Sequence, residues 1–294
     1  MTSPEEFSRS GRVRHGELKG HKLAAEPEPI ELDWAATALL IIDMQRDFME
    51  PGGFGETLGN DVSPARARAV KPIAAVLDAA RDTGMLVVHT REGHLPDLSD
   101  APPAKVERGA PSLRIGDPGP MGRILIRGEA GHDIIPELYP LDSEIVIDKP
   151  GKGAFYATEL GDVLQRYGIE NLLVCGVTTE VCVNTTVREA NDRGYRCVVL
   201  ADGCASYFPE FHEMGLKMIK AQGGIFGWVS DSAAVLQGTF TGDFKTLAVA
   251  GHHDEHEHDG DCRQVRLSSR HCGRRATGTP SSASAPTSSS TCWC

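Results

Sequence analysis

Thr37-Ala38-Leu39-Leu40-Ile41-Ile42 is a short, unbroken apolar run, and Asp43 ends it. Such a run reads as a strand buried on both faces, the pattern of a parallel sheet covered by helices. Outward from it, Val70, Ile73, Ala74, Leu77 and Ala80 recur at helical spacing, and Gly84 closes that helix. Residues 85–89 then read as a second strand and residues 145–147 as a third. A helix over 159–167 is stopped by Gly168, and residues 172–177 form a fourth strand. A helix over 179–193 ends at Gly194, followed by a fifth strand over 197–200. The last predicted helix, 209–222, carries Phe211, Met214 and Met218 on one face, and residues 224–229 supply a sixth strand. Strand and helix alternating this often predict an α/β fold: a Rossmann-like three-layer αβα arrangement with a six-stranded, mostly parallel sheet.

Composition bounds the function. The 294 residues are 40% hydrophobic and 24% charged, as in a globular protein. The longest apolar stretch, 38–42, is far short of the ~20 residues needed to cross a bilayer. The first thirty residues carry Glu5, Glu6, Glu17, Glu26 and Glu28 and no apolar run, which argues against a secretory signal or transit peptide. A net charge of -11 disfavours a nucleic-acid partner, which needs positive surface to displace counterions. The expectation is a cytoplasmic protein with neither membrane nor nucleic acid among its partners.

Three regions follow: an N-terminal extension over 1–32, a patterned domain over 33–240, and a low-complexity tail over 250–294 expected to be disordered. The tail opens with the His/acid run 252–259 and holds Cys262, Cys272, Cys292 and Cys294. Cys175, Cys182, Cys197 and Cys204 lie in the domain, without a tandem C-x-x-C zinc pattern and without the context of a disulfide framework. The stretch 92–143 is rich in Pro, Gly and Asp, and its length marks it as a lid or a subunit contact.

In parallel α/β sheets ligands bind at the carboxyl ends of the strands. Three chemically capable side chains fall there. Asp43 follows the first strand, Lys149 the third, and Cys182 opens the helix after the fourth. Singly, each has a bland reading as a turn residue, a solvated lysine or a core thiol. Together they describe a thiol activated by a neighbouring ammonium and a helix N-terminus, with a carboxylate to move its proton.

At these residues the chain resembles the isochorismatase-like cysteine hydrolases. The likeness rests on residues 40–48 (LIIDMQRDF), 149–155 (KPGKGAF) and 175–183 (CGVTTEVCV), and it covers roughly residues 33–235. The resemblance implies a catalytic triad of Asp43, Lys149 and Cys182. It also implies a cis peptide between Val177 and Thr178, with the amides of Thr178 and Cys182 facing an oxyanion. Within the family the likeness is greatest to the members that hydrolyse biuret to allophanate and ammonia, through residues 115–123 and 131–138 as well as the triad. That likeness implies substrate contacts from Phe48, Lys152 and Gln222 and assembly as a homotetramer. A related carbamoyl amide (triuret, ureidoacrylate or N-carbamoylsarcosine) is the alternative substrate, with Arg91 as a conceivable partner for a carboxylate. A non-catalytic scaffold of the same fold, or thiol redox work through Cys175 and Cys182, are the rival classes. No cofactor is expected. The metal-binding D-x-H pair of some members is missing at Asp61-Val62-Ser63 and Asp47-Phe48-Met49, so no catalytic metal is expected either. His89 and His94 read as structural.

Overall fold

The computed structural model describes residues 21–239. The expected tail, with its His run and its four cysteines, lies outside the described residues, as do residues 1–20. Six strands form the central sheet: β1 (Thr37–Ile42), β2 (Leu86–Glu92), β3 (Ile145–Lys149), β4 (Asn171–Val177), β5 (Arg196–Ala205) and β6 (Trp228–Ser230). Their order is β6-β5-β4-β1-β2-β3, and every pairing is parallel. The main helices are α1 (Ser63–Thr83), α2 (Leu160–Arg166), α3 (Asn184–Asp192), α4 (Pro209–Gly224) and α5 (Ser232–Thr239). They flank the sheet and complete the three-layer αβα architecture read from the sequence.

All six residues of β1 and all seven of β4 are buried, which is why both are continuous apolar runs. The chain leaves β1 in one direction through β2 and β3, then returns to the other side of β1 for β4, β5 and β6. The carboxyl ends of β1 and β4 are therefore the point where the strand order reverses, the place where such sheets open a crevice. Register brings the strand ends level: Ile42 sits opposite both Thr90 and Gly176, and Glu92 sits opposite Lys149. Gly176 has φ 118, and a Cβ there would collide with the carbonyl oxygen of Ile42, so only glycine permits β4 to run this close to β1.

The structure extends several predicted elements and corrects two regions. Helix α1 begins at Ser63, with a proline in its first turn, and buries Ala65 and Ala69 as well as Ile73, Val76, Leu77 and Ala80. Gly84 ends it in the left-handed conformation, as expected. Part of the predicted N-terminal extension belongs to the domain. Residues His21–Leu23 pair antiparallel with Ile30–Leu32, and Leu23, Ile30 and Leu32 are buried in the main core. Glu26 exchanges backbone hydrogen bonds with Val229, which ties this hairpin to β6.

The long loop is packed against the domain, and it begins after Glu92, because β2 runs three residues past its predicted end. Ile124, Leu125, Ile126, Ile134, Ile135 and Leu138 are buried. Short bridges join Ile126 to His94 and Ile134 to Gln45. On α4 the predicted apolar face of Phe211, Met214 and Met218 is exposed, and His212, Gly215 and Ile219 face inward. The absence of a side chain at Gly215 lets the helix approach Asn184 and Thr179, where an added Cβ would already lie 3.1 Å from each.

Candidate active site

Asp43 follows β1 directly and has φ 51, a left-handed conformation that Asp tolerates better than most residues. Its carboxylate is fully buried. Oδ1 accepts a hydrogen bond from Thr90 Oγ1 at 2.7 Å, and Oδ2 lies 2.8 Å from Lys149 Nζ. Lys149, the last residue of β3, is equally buried. Its ammonium also donates to the carbonyls of Gly151 at 2.9 Å and Lys152 at 3.0 Å, so the loop after β3 curls around it. Burial works against its charge. The carboxylate of Asp43, together with the Cys182 sulfur and Glu92, outweighs that effect and holds the ammonium above the ordinary lysine range.

Cys182 lies in a single π-helical turn, Thr179–Val183, between β4 and α3. Such wide turns recur at functional positions in helices. The Val177–Thr178 peptide immediately before it is cis. Thr186 Oγ1 donates to the Cys182 carbonyl at 2.7 Å and accepts from the Ala154 amide at 3.0 Å, joining the nucleophile's turn to the lysine loop. Thr179 Oγ1 lies 2.7 Å from His212 Nδ1, which pins the same turn to α4. The Cys182 thiol is buried, and burial pushes it well above the ordinary thiol range. Lys149 opposes that shift, while Asp43 and Glu92 add to it.

Glu92 is the residue the sequence reading missed. It ends β2 with a fully buried side chain. Its Oε1 lies 2.9 Å from Lys152 Nζ and 3.3 Å from Lys105 Nζ. Its Oε2 accepts from the Cys182 thiol at 3.5 Å and lies 3.8 Å from Lys149 Nζ. Burial alone would raise this carboxyl. The ammoniums of Lys152, Lys149 and Lys105 outweigh it and hold Glu92 well below the usual carboxylate range. Gln45 fixes its backbone, donating to the Glu92 carbonyl at 3.0 Å and accepting from the Glu92 amide at 2.7 Å. Lys105, from the long loop, also donates to the Pro150 carbonyl.

The structure thus brings together Asp43, Lys149, Cys182 and Lys152, with the Val177–Thr178 peptide leading into the same turn. Phe48 is half-buried beside the first strand end, its carbonyl bonded to Tyr207 Oη at 2.8 Å. Gln222 is exposed and has a left-handed conformation at the kink that interrupts α4 over residues 221–223. Arg91 is engaged elsewhere, paired with both oxygens of Asp148 at 2.7 and 3.1 Å. His89 and His94 are buried against Glu144 at 3.0 Å and Asp100 at 3.2 Å. Cys175 is buried in mid-strand, its sulfur 3.8 Å from the Leu40 carbonyl.

Among the described residues, Asp43, Glu92 and Cys182 bring ligand atoms within 4.8 Å of one another. Three ammoniums already neutralise those oxygens, so a further cation would meet repulsion rather than an open donor set.

Comparison with known proteins settles the lineage. The pattern of the isochorismatase domain matches residues 37–234. The chain belongs to the isochorismatase family. Among its curated relatives, the ureidoacrylate amidohydrolase RutB of Methylobacterium radiotolerans is 35% identical over 250 residues, covering 80% of this chain and 90% of that one. The protein of the same name from Acinetobacter baylyi is 33% identical over 225 residues, covering 72% and 87%. Among solved structures, a cysteine hydrolase from Pseudomonas syringae pv. phaseolicola 1448A superposes with a TM-score of 0.60 at 27% identity, covering 71% of this chain and 94% of that one. An isochorismatase family protein from Desulfovibrio vulgaris gives 0.57 at 30% identity, covering 69% and 97%. No helix among the described residues of this chain is long and apolar enough to cross a membrane.

Proposed function

We propose that this family member hydrolyses a small, neutral carbamoyl amide, biuret being the best fit, through a thioester on Cys182. The observation that carries the reading is the charge inventory at the thiol. Two buried carboxylates face three ammoniums, so a Cys182 thiolate would leave the site neutral overall. Arg91, the conceivable partner for a substrate carboxylate, is already paired with Asp148.

In this mechanism Asp43 takes the Cys182 proton and the thiolate adds to a terminal carbonyl, forming the C–S bond. The amides of Thr178, just before the nucleophile's turn, and of Cys182, within it, receive the oxyanion. Lys149 stabilises the anionic site. Protonated Asp43 gives its proton to the departing nitrogen as the C–N bond breaks and ammonia leaves. The same carboxylate then accepts a proton from the water that opens the thioester, and the thiolate departs. The Lys152 side chain is the most exposed of the three lysines, which suits it to meet a substrate carbonyl. Phe48 would form an apolar wall. Gln222 would supply the further substrate contact that the resemblance implies, and the chain would assemble as a homotetramer.

A second reading is ureidoacrylate, the substrate in the names of the 33–35% identical relatives. It has the same scissile carbamoyl group but carries a carboxylate. Ammonia release by purified protein from biuret, triuret, ureidoacrylate and N-carbamoylsarcosine, each at matched concentration, separates them. Turnover led by biuret is the expected result, and turnover led by ureidoacrylate would replace the substrate assignment while leaving the cysteine chemistry in place.

A further inference from the structure

Glu92 has no role in the mechanism above, yet it is as buried as the triad and touches more of the site's charge than any member of it. Its two oxygens meet Lys152, Lys105 and the Cys182 thiol, and Lys149 stands 3.8 Å away. The position is built rather than incidental. β2 pairs with β3 so that Glu92 is the register partner of Lys149, and Gln45 holds the Glu92 backbone through both its amide and its carbonyl.

A buried carboxylate with three lysines around it is a poor proton acceptor. Its ionised form is the one the surroundings favour, so taking a proton from a buried thiol would run uphill. A different role follows from the same contacts. Lys152 comes from the loop after β3, and Lys105 comes from the long loop between β2 and β3. Among the described residues, neither has another carboxylate partner. Without Glu92, Lys105 would keep the Pro150 carbonyl, but no carboxylate in the described structure would hold the two like-charged ammoniums together.

We propose that Glu92 is the positioning residue of this active site: its carboxylate gathers Lys152 and Lys105 over the nucleophile and keeps the Cys182 thiol protonated at rest. The inference rests on the reading of Cys182 as nucleophile but not on the choice of biuret. The charged groups that face Cys182 are Asp43 after β1, Glu92 at the end of β2, Lys149 at the end of β3 and Lys152 in the loop beyond it. Glu180, on the nucleophile's own turn, is engaged with Ser206. Removing Glu92 therefore deletes one of two anions and leaves all the cations. The thiolate becomes easier to form, while the lysines that meet substrate lose their anchor.

The test compares full-length wild type, Glu92→Gln and Glu92→Asp in two readouts. One is the pH profile of alkylation by iodoacetamide, followed by mass spectrometry on the peptide that carries Cys182. The other is steady-state amide hydrolysis. Glu92→Gln should move the alkylation inflection at least one pH unit lower, about a tenfold faster reaction near neutrality, while kcat/KM falls tenfold or more. Glu92→Asp keeps the charge one methylene further back. It should leave the inflection near wild type and still lose turnover, and it carries the test if the glutamine variant does not fold. An inflection that moves up in Glu92→Gln would make Glu92 a proton acceptor, and unchanged hydrolysis in both variants would make it a bystander. Either result overturns the proposal. Alkylation needs no substrate, so wild type that is silent on biuret would sink the substrate assignment and leave this inference standing. A Cys182 peptide that resists iodoacetamide at every pH would instead remove the nucleophile reading beneath it.

Discussion

Replacing Lys149 by methionine removes one charge from a pair in which neither side chain touches solvent. In wild type the ammonium meets three acceptors: Asp43 Oδ2 at 2.8 Å and the carbonyls of Gly151 and Lys152 at 2.9 and 3.0 Å. Methionine fills similar volume but donates nothing, so Asp43 keeps only Thr90 and the two carbonyls lose their shared donor. Breaking a buried pair from one side typically costs about 3–5 kcal/mol, because the remaining charge is uncompensated. For a folded body of this size that corresponds to a fall in Tm of roughly 6–20 °C. The double variant Asp43→Asn/Lys149→Met removes both charges and should recover part of the loss, with a coupling of about 2 kcal/mol in a double-mutant cycle. Urea unfolding of the full-length protein at pH 7, with the four members of the cycle side by side, gives these values. The double variant should be folded and catalytically dead, which separates what the pair does for stability from what it does for chemistry. A Lys149→Met variant within about 1 kcal/mol of wild type, or a double variant as unstable as the two singles added together, would refute the reasoning.

Two further outcomes follow from the same geometry. Cys182→Ser should lower kcat by three orders of magnitude or more, because a buried hydroxyl is far harder to ionise than a thiol; circular dichroism should show an unchanged fold, and near-normal ammonia release would remove Cys182 from the mechanism. His212 is buried against Thr179, and burial lowers its pKa to about 4. Its neutral form is the folded one, so its contribution to stability is present above about pH 6.5 and is lost as pH falls toward 4, by on the order of 3 kcal/mol. His212→Gln should flatten the stability profile measured by urea unfolding in that window, and an unchanged slope would show that His212 titrates no differently in the folded state.

How far the sequence disclosed this site depends on which physical signal each residue carries. Asp43, Lys149 and Cys182 were legible because each follows a strand whose apolar run is unmistakable, and strand ends at one edge of a parallel sheet converge. Glu92 was not, because β2 ends in Thr90-Arg91-Glu92, polar residues that stop an apolar run on paper yet are mostly buried here. The missed signal was length. A second strand drawn as long as its neighbours places Glu92 level with Lys149. Lys105 carries no local signal at all, since a lysine in a Pro-rich loop reads as solvated and only tertiary packing brings it to Glu92. Helix α4 failed in the opposite way. Its three large apolar residues suggested the buried face, but the close approach to the nucleophile's turn demanded a small residue, and Gly215 decided the orientation. For the hairpin of residues 21–32, two three-residue strands were too short to stand out against their charged neighbours.

The charges around Cys182 set it apart from the other buried thiols. Burial and two nearby carboxylates all raise it, and a buried thiol with no cation nearby, as at Cys197, is pushed up to about 12 by burial alone. What separates Cys182 from Cys197 is the presence of two ammoniums, Lys149 and Lys152, close enough to count against that rise. Their effect is partly masked at rest because Asp43 and Glu92 pair with them. A neutral amide adds no charge to this balance. A carboxylate-bearing substrate would bring a further anion beside two others, opposing the ionisation on which the first step depends. Under the proposed function this balance suits a neutral amide better than one that carries a carboxylate.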